Sequence, residues 1–280
     1  MNADTLFEGR GAVVTGASSG IGRALAVALA ARGAGVVLGG RDVRELGSTL
    51  DAIRIAGGRA VACPGDVRTG AHLERLREAA FEEFGALDVW ANAAGSGYQG
   101  PIATGRIEEW REMVETNLLA VCMASREAIR SFGPKGGHLI NFSSAAVDTL
   151  SPGQAVYGAT KQAVESFTRS LAKELEGQPL HVILVRPEPV LTRIGRNLQE
   201  PERRRVARSL GVSPDAVREI LDGRASEADL HRLQRELPGI FLRAGTVAER
   251  VVAALAFPPP SGLTCIDVHL ALPSHRDEQT

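Results

Sequence analysis

The chain has 280 residues, 44% of them hydrophobic, and a formal net charge of −1. That length supports one large domain with its own core, and the near-neutral balance gives no global attraction to nucleic acid or anionic lipid, so a small molecule is the expected partner. The three cysteines, Cys63, Cys122 and Cys265, lie far apart without C-x-x-C spacing, which predicts reduced, buried thiols in a cytoplasmic protein and excludes a disulfide framework or zinc site.

In chain order, "GAVVTG" reads as a buried strand and "GIGRALAVALAARG" as an apolar helix. The Ala/Leu run of that helix, Ala24 to Ala31, lies between Arg23 and Arg32 and is too short to cross a bilayer, while Asp4 and Glu8 spoil a signal peptide. No membrane partner is expected. A second strand, "GVVLGG", precedes a helix through Leu46, Leu50 and Ile53 to Gly57. The alternation continues with "RAVAC", a helix from about Ala71 to Phe84, "LDVWAN", a long helix around Trp110 to Phe132, and "HLINFSS". From Pro152 a helix runs to about Glu176, and "HVILVRP" is the next buried strand. Strands separated by helices in this order specify a doubly wound, Rossmann-type α/β fold: a parallel sheet with right-handed crossovers and helices on both faces.

Composition shifts at Thr192. From there to about Leu242 the chain is rich in arginine and glutamate, and "PERRRVARSLG" and "SEADLHRLQREL" read as amphipathic helices without a strand signal between them. Residues 195–243 are therefore expected to form a helical insertion, placed to act as a substrate lid, inside a single domain spanning residues 1–280. "TVAERVVAALAF" gives a helix, "GLTCIDVHLAL" a last strand, and residues 275–280 a tail expected to fray. Trp90 and Trp110 fall on a strand and a helix face and are assigned to core packing. The six histidines are scattered without ligand spacing, so no metal site is expected.

The turn after the first strand reads Thr15-Gly16-Ala17-Ser18-Ser19-Gly20-Ile21-Gly22. Glycines at this spacing let the backbone pass close to a pyrophosphate and open a helix whose N-terminal amides favour negative charge, with the Ser18 and Ser19 hydroxyls as added donors. At the end of the second strand, an acidic residue would bind a ribose 2′-hydroxyl, whereas an arginine attracts a 2′-phosphate. This chain has Gly39-Gly40-Arg41, which points to NADP(H).

In "QAVYGATKQAV", Tyr157 and Lys161 stand one helical turn apart, with side chains about 6 Å from each other on one face. Free tyrosine, with a pKa of about 10, is the phenolate in only about one molecule in a thousand at neutral pH. The Lys161 ammonium is expected to bias it toward the anion, making an acid–base pair. Ser143 and Ser144 end a strand, and since successive strand residues face opposite sides, only one of them addresses this site.

With these motifs in place the chain resembles the short-chain dehydrogenases/reductases, whose motif T-G-x-x-x-G-I-G matches residues 15 to 22 throughout. The resemblance extends over about residues 8 to 192 and leaves the insertion uncovered. It implies a catalytic tetrad of Asn117, Ser144, Tyr157 and Lys161, with Ser144 selected by its spacing from the tyrosine. By the same resemblance Tyr157 donates the proton to a carbonyl in reduction and accepts it in oxidation, Ser144 orients the substrate oxygen, Lys161 also holds the nicotinamide ribose, and Asn117 positions a relay water. Cofactor contacts are implied at Gly16, Ser18, Ser19, Ile21 and Arg41, at Asp66 and Val67 for the adenine, at Asn92 and Ala93 of "NAAG", and at Val190 and Thr192 for the carboxamide and pyrophosphate.

The activity implied is the NADPH-dependent, reversible reduction of a ketone or aldehyde by a homo-oligomer, a dimer or tetramer. Two alternatives are a cofactor-binding regulator without turnover and a sugar-nucleotide epimerase or dehydratase; the glycine spacing speaks against the latter, and the full tetrad against the former. The substrate pocket is expected along Ser96 to Gln99, Ala145 to Asp148, Gly153 and the insertion. One departure from the family stands out in "VRPEPVLT": Glu188 and Pro189 follow Pro187 where a glycine is usual, and the Glu188 carboxylate is expected either in solvent, paired with an arginine of the insertion, or at the pocket wall.

Overall fold

Seven strands, β1 (Gly11–Thr15), β2 (Gly35–Gly40), β3 (Arg59–Pro64), β4 (Val89–Asn92), β5 (Gly137–Phe142), β6 (Leu180–Pro187) and β7 (Gly262–Val268), pair in parallel in the order β3-β2-β1-β4-β5-β6-β7. This computed structural model describes residues 5–149, 151–190, 203–204, 207–208, 212–221, 242–256 and 262–269. The helices are α1 (Gly20–Ala30), α2 (Val43–Ile55), α3 (Gly70–Phe84), α4 (Ile107–Val114), α5 (Ala120–Ser131), α6 (Ala146–Thr149), α7 (Ala155–Glu174), α8 (Pro214–Leu221) and α9 (Ala244–Ala256). The expected doubly wound sheet is present.

Every residue of β1, β2, β4 and β5 is buried, which is why these strands read as unbroken apolar runs rather than alternating ones. Alternate residues serve opposite faces. Val14, Leu38, Ala91, Ile140 and Ile183 pack with Leu25 and Leu29 of α1 and with Val247 and Val251 of α9. Val13, Val37, Trp90, Leu139 and Val182 pack with Leu73 and Leu76 of α3, Ala124 of α5 and Leu171 of α7. The strand ends that carry Thr15, Gly40, Asn92 and Phe142 therefore open along one rim of a sheet whose register both cores fix.

The long helix expected around Trp110 to Phe132 is continuous from α4 to α5, but its middle, Glu115–Leu119, widens into a π-helical turn that holds Asn117. Such turns recur at functional sites, and no periodicity in the sequence announces one. Two readings need correction. Cys63 and Cys122 are only half-buried and Cys265 is exposed; the first and last sit on the edge strands β3 and β7, where one flank has no neighbour. Trp110 is partly exposed against Gly105 rather than in the core, because α4 buries only Met113. Trp90 is fully buried, as expected. Of the insertion 195–243, α8 and a few flanking residues are described; the remainder of it, and residues 275–280, lie outside the described residues. Among the described residues no helix is long and apolar enough to cross a membrane, and no cluster of three metal-ligating side chains occurs.

At the opposite rim, His138 of β5 and His181 of β6 stand in register with rings stacked, 5.0 Å between centroids. Burial, with help from the neighbouring His181 and Arg10, pushes the His138 imidazole down to about 4. Unfolded His138 thus binds its proton near pH 6.5 and the folded residue only near pH 4, so stability is full above pH 6.5 and is lost as pH falls from 6.5 toward 4. Urea unfolding is expected to show a decline of up to about 1.4 kcal/mol per pH unit from this group across that window, and His138→Leu to flatten the decline. Identical pH slopes in the two proteins would refute the assignment.

Candidate active site

The turn from β1 into α1 depends on two glycines. Gly16 has φ +68, and a Cβ there would lie 2.8 Å from the Ala93 carbonyl oxygen, so only glycine lets this turn pass against the end of β4. A Cβ on Gly22 would lie 2.4 Å from the Gly16 carbonyl oxygen, which seats α1 directly on the turn. Ser19 is the N-cap without a side-chain capping bond, and no acidic residue stands in the first turn. The positive end of the α1 dipole, with half-buried Ser18, Ser19 and Ile21 in the turn, could cradle an anion. Sequence reasoning missed what braces it: Arg23 donates to the Ser18 carbonyl at 2.6 Å, to Thr49 at 2.9 Å and to Glu45 at 2.6 Å, while Thr49 donates to the Ala17 carbonyl at 2.9 Å. These partners come from α2, so no local pattern shows them.

Beyond the cradle, Arg41 is exposed, with its guanidinium 3.5 Å from the Glu112 carboxylate; Glu112 also accepts from the Tyr98 hydroxyl at 2.7 Å. Asp66 is held by Arg68 through contacts of 3.0 and 2.6 Å, and this guanidinium keeps its carboxyl below the usual carboxylate range. Glu112 and Arg68 were not singled out by the sequence. The Val67 side chain belongs to the core. Asn92 turns inward, accepting from Trp90 Nε1 at 3.0 Å and donating to Asn141 at 2.8 Å, which leaves its backbone and that of Ala93 to line the rim. Val190 pairs with Leu242 in an isolated parallel bridge; Thr192 lies outside the described residues.

The four expected catalytic residues converge. Asn117, fully buried, accepts from the Ser96 amide at 2.9 Å and donates to the Ser96 carbonyl at 2.9 Å and to Thr160 at 3.1 Å, clamping the loop after β4 to α7. Lys161 Nζ donates to the Phe142 carbonyl at 2.9 Å and lies 6.0 Å from the centre of the Tyr157 ring, matching the spacing expected from one helical turn. Burial pushes its amine down to about 8. Ser144 Oγ accepts from the Ala146 amide at 3.2 Å, and its hydroxyl is placed to favour the Tyr157 anion. Ser143 faces away, donating to the Lys161 carbonyl and Glu165, so the choice between the two serines falls on Ser144.

Tyr157 is half-buried. Burial pushes the phenol up, opposed by the Ser144 bond. In the chain alone burial outweighs any bias from Lys161, so the phenol lies above rather than below its ordinary value. The site holds a neutral phenol, ready to donate. Glu188 contacts His269 Nδ1 at 3.1 Å, so the carboxylate meets a histidine just past the end of β7 rather than open solvent.

A family model described as short chain dehydrogenase matches residues 10–203. An uncharacterized oxidoreductase of Methylorubrum extorquens is 40% identical over 187 residues, covering 66% of this chain and 75% of that protein. An actinorhodin polyketide ketoreductase variant solved with NADPH superposes with a TM-score of 0.75 at 28% identity, covering 93% of this chain and 96% of that one. A short-chain dehydrogenase/reductase from Burkholderia phymatum solved with NAD gives 0.72 at 30% identity, covering 92% and 89%.

With only two tyrosines in the chain, Tyr98→Phe leaves Tyr157 as the single phenol whose ionisation shows as tyrosinate absorbance. In that background Ser144→Ala is expected to raise the Tyr157 midpoint, because the bond that favours the anion is removed. An unchanged or lower midpoint would contradict the geometry.

Proposed function

The chain belongs to the short-chain dehydrogenase family, and on that premise we propose that it is an NADPH-dependent reductase that converts a ketone or aldehyde to an alcohol, and the reverse. The observation that carries this reading is the Tyr157 phenol, held protonated by burial, with buried Lys161 6.0 Å from its ring and tied to the Phe142 carbonyl. Two neighbouring hydroxyls would bind one carbonyl oxygen: Ser144 would orient it and stabilise developing charge, and Tyr157 would donate the proton. Lys161 shares the same buried pocket, where its positive charge favours the phenolate left behind. Bound NADPH would supply the hydride.

The residues present fit that cofactor. The Gly16 turn with Ser18, Ser19 and Ile21 would hold the pyrophosphate; Asp66 and Val67 would border the adenine; Asn92 and Ala93 would present backbone, Lys161 would hold the ribose, and Val190 would meet the carboxamide end, while Thr192, expected at the carboxamide and pyrophosphate with it, lies outside the described residues. The preference for NADPH rests on Arg41. Gly40 at the end of β2 offers no carboxylate to a ribose 2′-hydroxyl, and Arg41 is the charge that follows. A 2′-phosphate, with a charge of about −1.5 to −2, would compete for it against the single Glu112 carboxylate. One solved relative was found with NADPH and another with NAD, so the cofactor reading is carried by this chain's own residues. Homo-oligomeric assembly and a cytoplasmic address belong to the same proposal.

Consumption of NADPH over a panel of ketones and aldehydes tests the activity. Tyr157→Phe is expected to lower turnover at least about 100-fold while leaving NADPH binding within a few-fold; wild-type turnover would sink the role, and tight binding with no turnover on any carbonyl in the wild type would favour a regulator. Arg41→Asp is expected to shift preference from NADPH toward NADH about tenfold or more, through loss of a charge-assisted contact. A wild type that already prefers NADH would overturn the cofactor reading.

A further inference from the structure

Behind the catalytic face of α7 lies a charge cluster that the proposed reaction leaves unused. Glu165, one turn past Lys161, is only 6% exposed. Its Oε1 accepts from Ser143 Oγ at 3.0 Å and from Arg186 Nε of β6 at 2.8 Å, and Arg169 lies 3.8 Å from Oε2. Arg186 spreads its other two nitrogens outward, Nη1 to Asp267 of β7 at 3.2 Å and Nη2 to Asp148 of α6 in a close contact. A buried carboxylate is tolerated only when paired and hydrogen-bonded, and the rigid guanidinium fork can serve three partners in fixed directions, which a lysine cannot.

The arm to Asp148 matters for the active site. Asp148 closes a tight segment that begins at Ser144: the Val147 amide donates to the Ser144 carbonyl at 3.2 Å, the Asp148 amide to the Ala145 carbonyl at 3.1 Å, and the Ala146 amide to Ser144 Oγ. Whatever holds Asp148 therefore holds the Ser144 hydroxyl. The other arm meets Glu165, whose helix carries Tyr157 and Lys161, and Ser143 adds a second tie by donating to the Lys161 carbonyl at 3.1 Å.

We propose that Arg186 is a positioning residue for the active site, joining the Ser144 segment through Asp148 to the Tyr157–Lys161 helix through Glu165 and so setting the Ser144–Tyr157 contact. The kinetic part of its test rests on the proposed reduction; the spectroscopic part does not.

Asp148 is the clean point of attack, because its side chain is 69% exposed and its replacement leaves the buried Arg186–Glu165 pair whole. In the Tyr98→Phe background, Asp148→Asn is expected to raise the Tyr157 ionisation midpoint toward that of Ser144→Ala, and to lower kcat for carbonyl reduction about tenfold, the worth of one lost charge-assisted bond, with NADPH affinity unchanged. Asp148→Glu is expected to restore part of both, and Arg186→Lys to resemble Asp148→Asn if it folds. A shifted midpoint in a protein that reduces no carbonyl would support the positioning role while overturning the proposed reaction. A midpoint and kcat for Asp148→Asn equal to the background would overturn the positioning role.

Discussion

The buried hydrogen bond from Lys161 Nζ to the Phe142 carbonyl ties the helix that carries Tyr157 to the end of a strand whose register is fixed by the strands on both sides. With 5% of the residue exposed, the ammonium cannot reorient into solvent, and its position relative to Tyr157 follows from the helical spacing alone. The same enclosure has opposite consequences for two neighbouring groups. It lowers the lysine to about 8 and raises the tyrosine, so the low-polarity surroundings bring the amine close to neutral pH and hold the phenol protonated.

Helix α7 is held by more than that bond. Thr160 meets Asn117 from the π-helical turn, Ser143 meets the Lys161 carbonyl, and Thr168 accepts from Asn141, which in turn accepts from Asn92. Polar side chains in a core are costly unless they are paired, and here they run as a connected series from Trp90 of β4 to α7. The series fixes the helix against the sheet at several heights, so the placement of Tyr157 and Lys161 against the end of β5 does not depend on loop conformation. That rigidity is what a positioned proton donor needs.

Much of this was legible in the residues. The alternation of apolar runs and helical periodicities specified a parallel sheet with helices on both faces, and the glycine turn and the Tyr157/Lys161 spacing announced the site because each rests on contacts within a few residues. What escaped shares the opposite property. Arg23 held by Glu45 and Thr49, Glu112 beside Arg41, and the Arg186–Glu165–Asp148 cluster join residues far apart in the chain, and a charged residue on a helix or strand looks the same in sequence whether it meets water or a buried partner. The inverted effect on Tyr157 escaped for a related reason: helical spacing gives the distance to the lysine, whereas desolvation depends on the whole enclosure. Cys265 and Cys63 were misjudged because composition gives the redox state of a thiol but not its place on an edge strand.

The central claim is that Tyr157 is kept as a neutral donor by burial and that the positive charge of oxidised cofactor favours its ionised form. Tyrosinate absorbance of the Tyr98→Phe protein, titrated with and without saturating NADP⁺, measures this directly. The account predicts a midpoint above the ordinary tyrosine value of about 10 in the protein alone and a lower one with NADP⁺. A midpoint below 10 without cofactor, or one that NADP⁺ leaves unmoved, would contradict it.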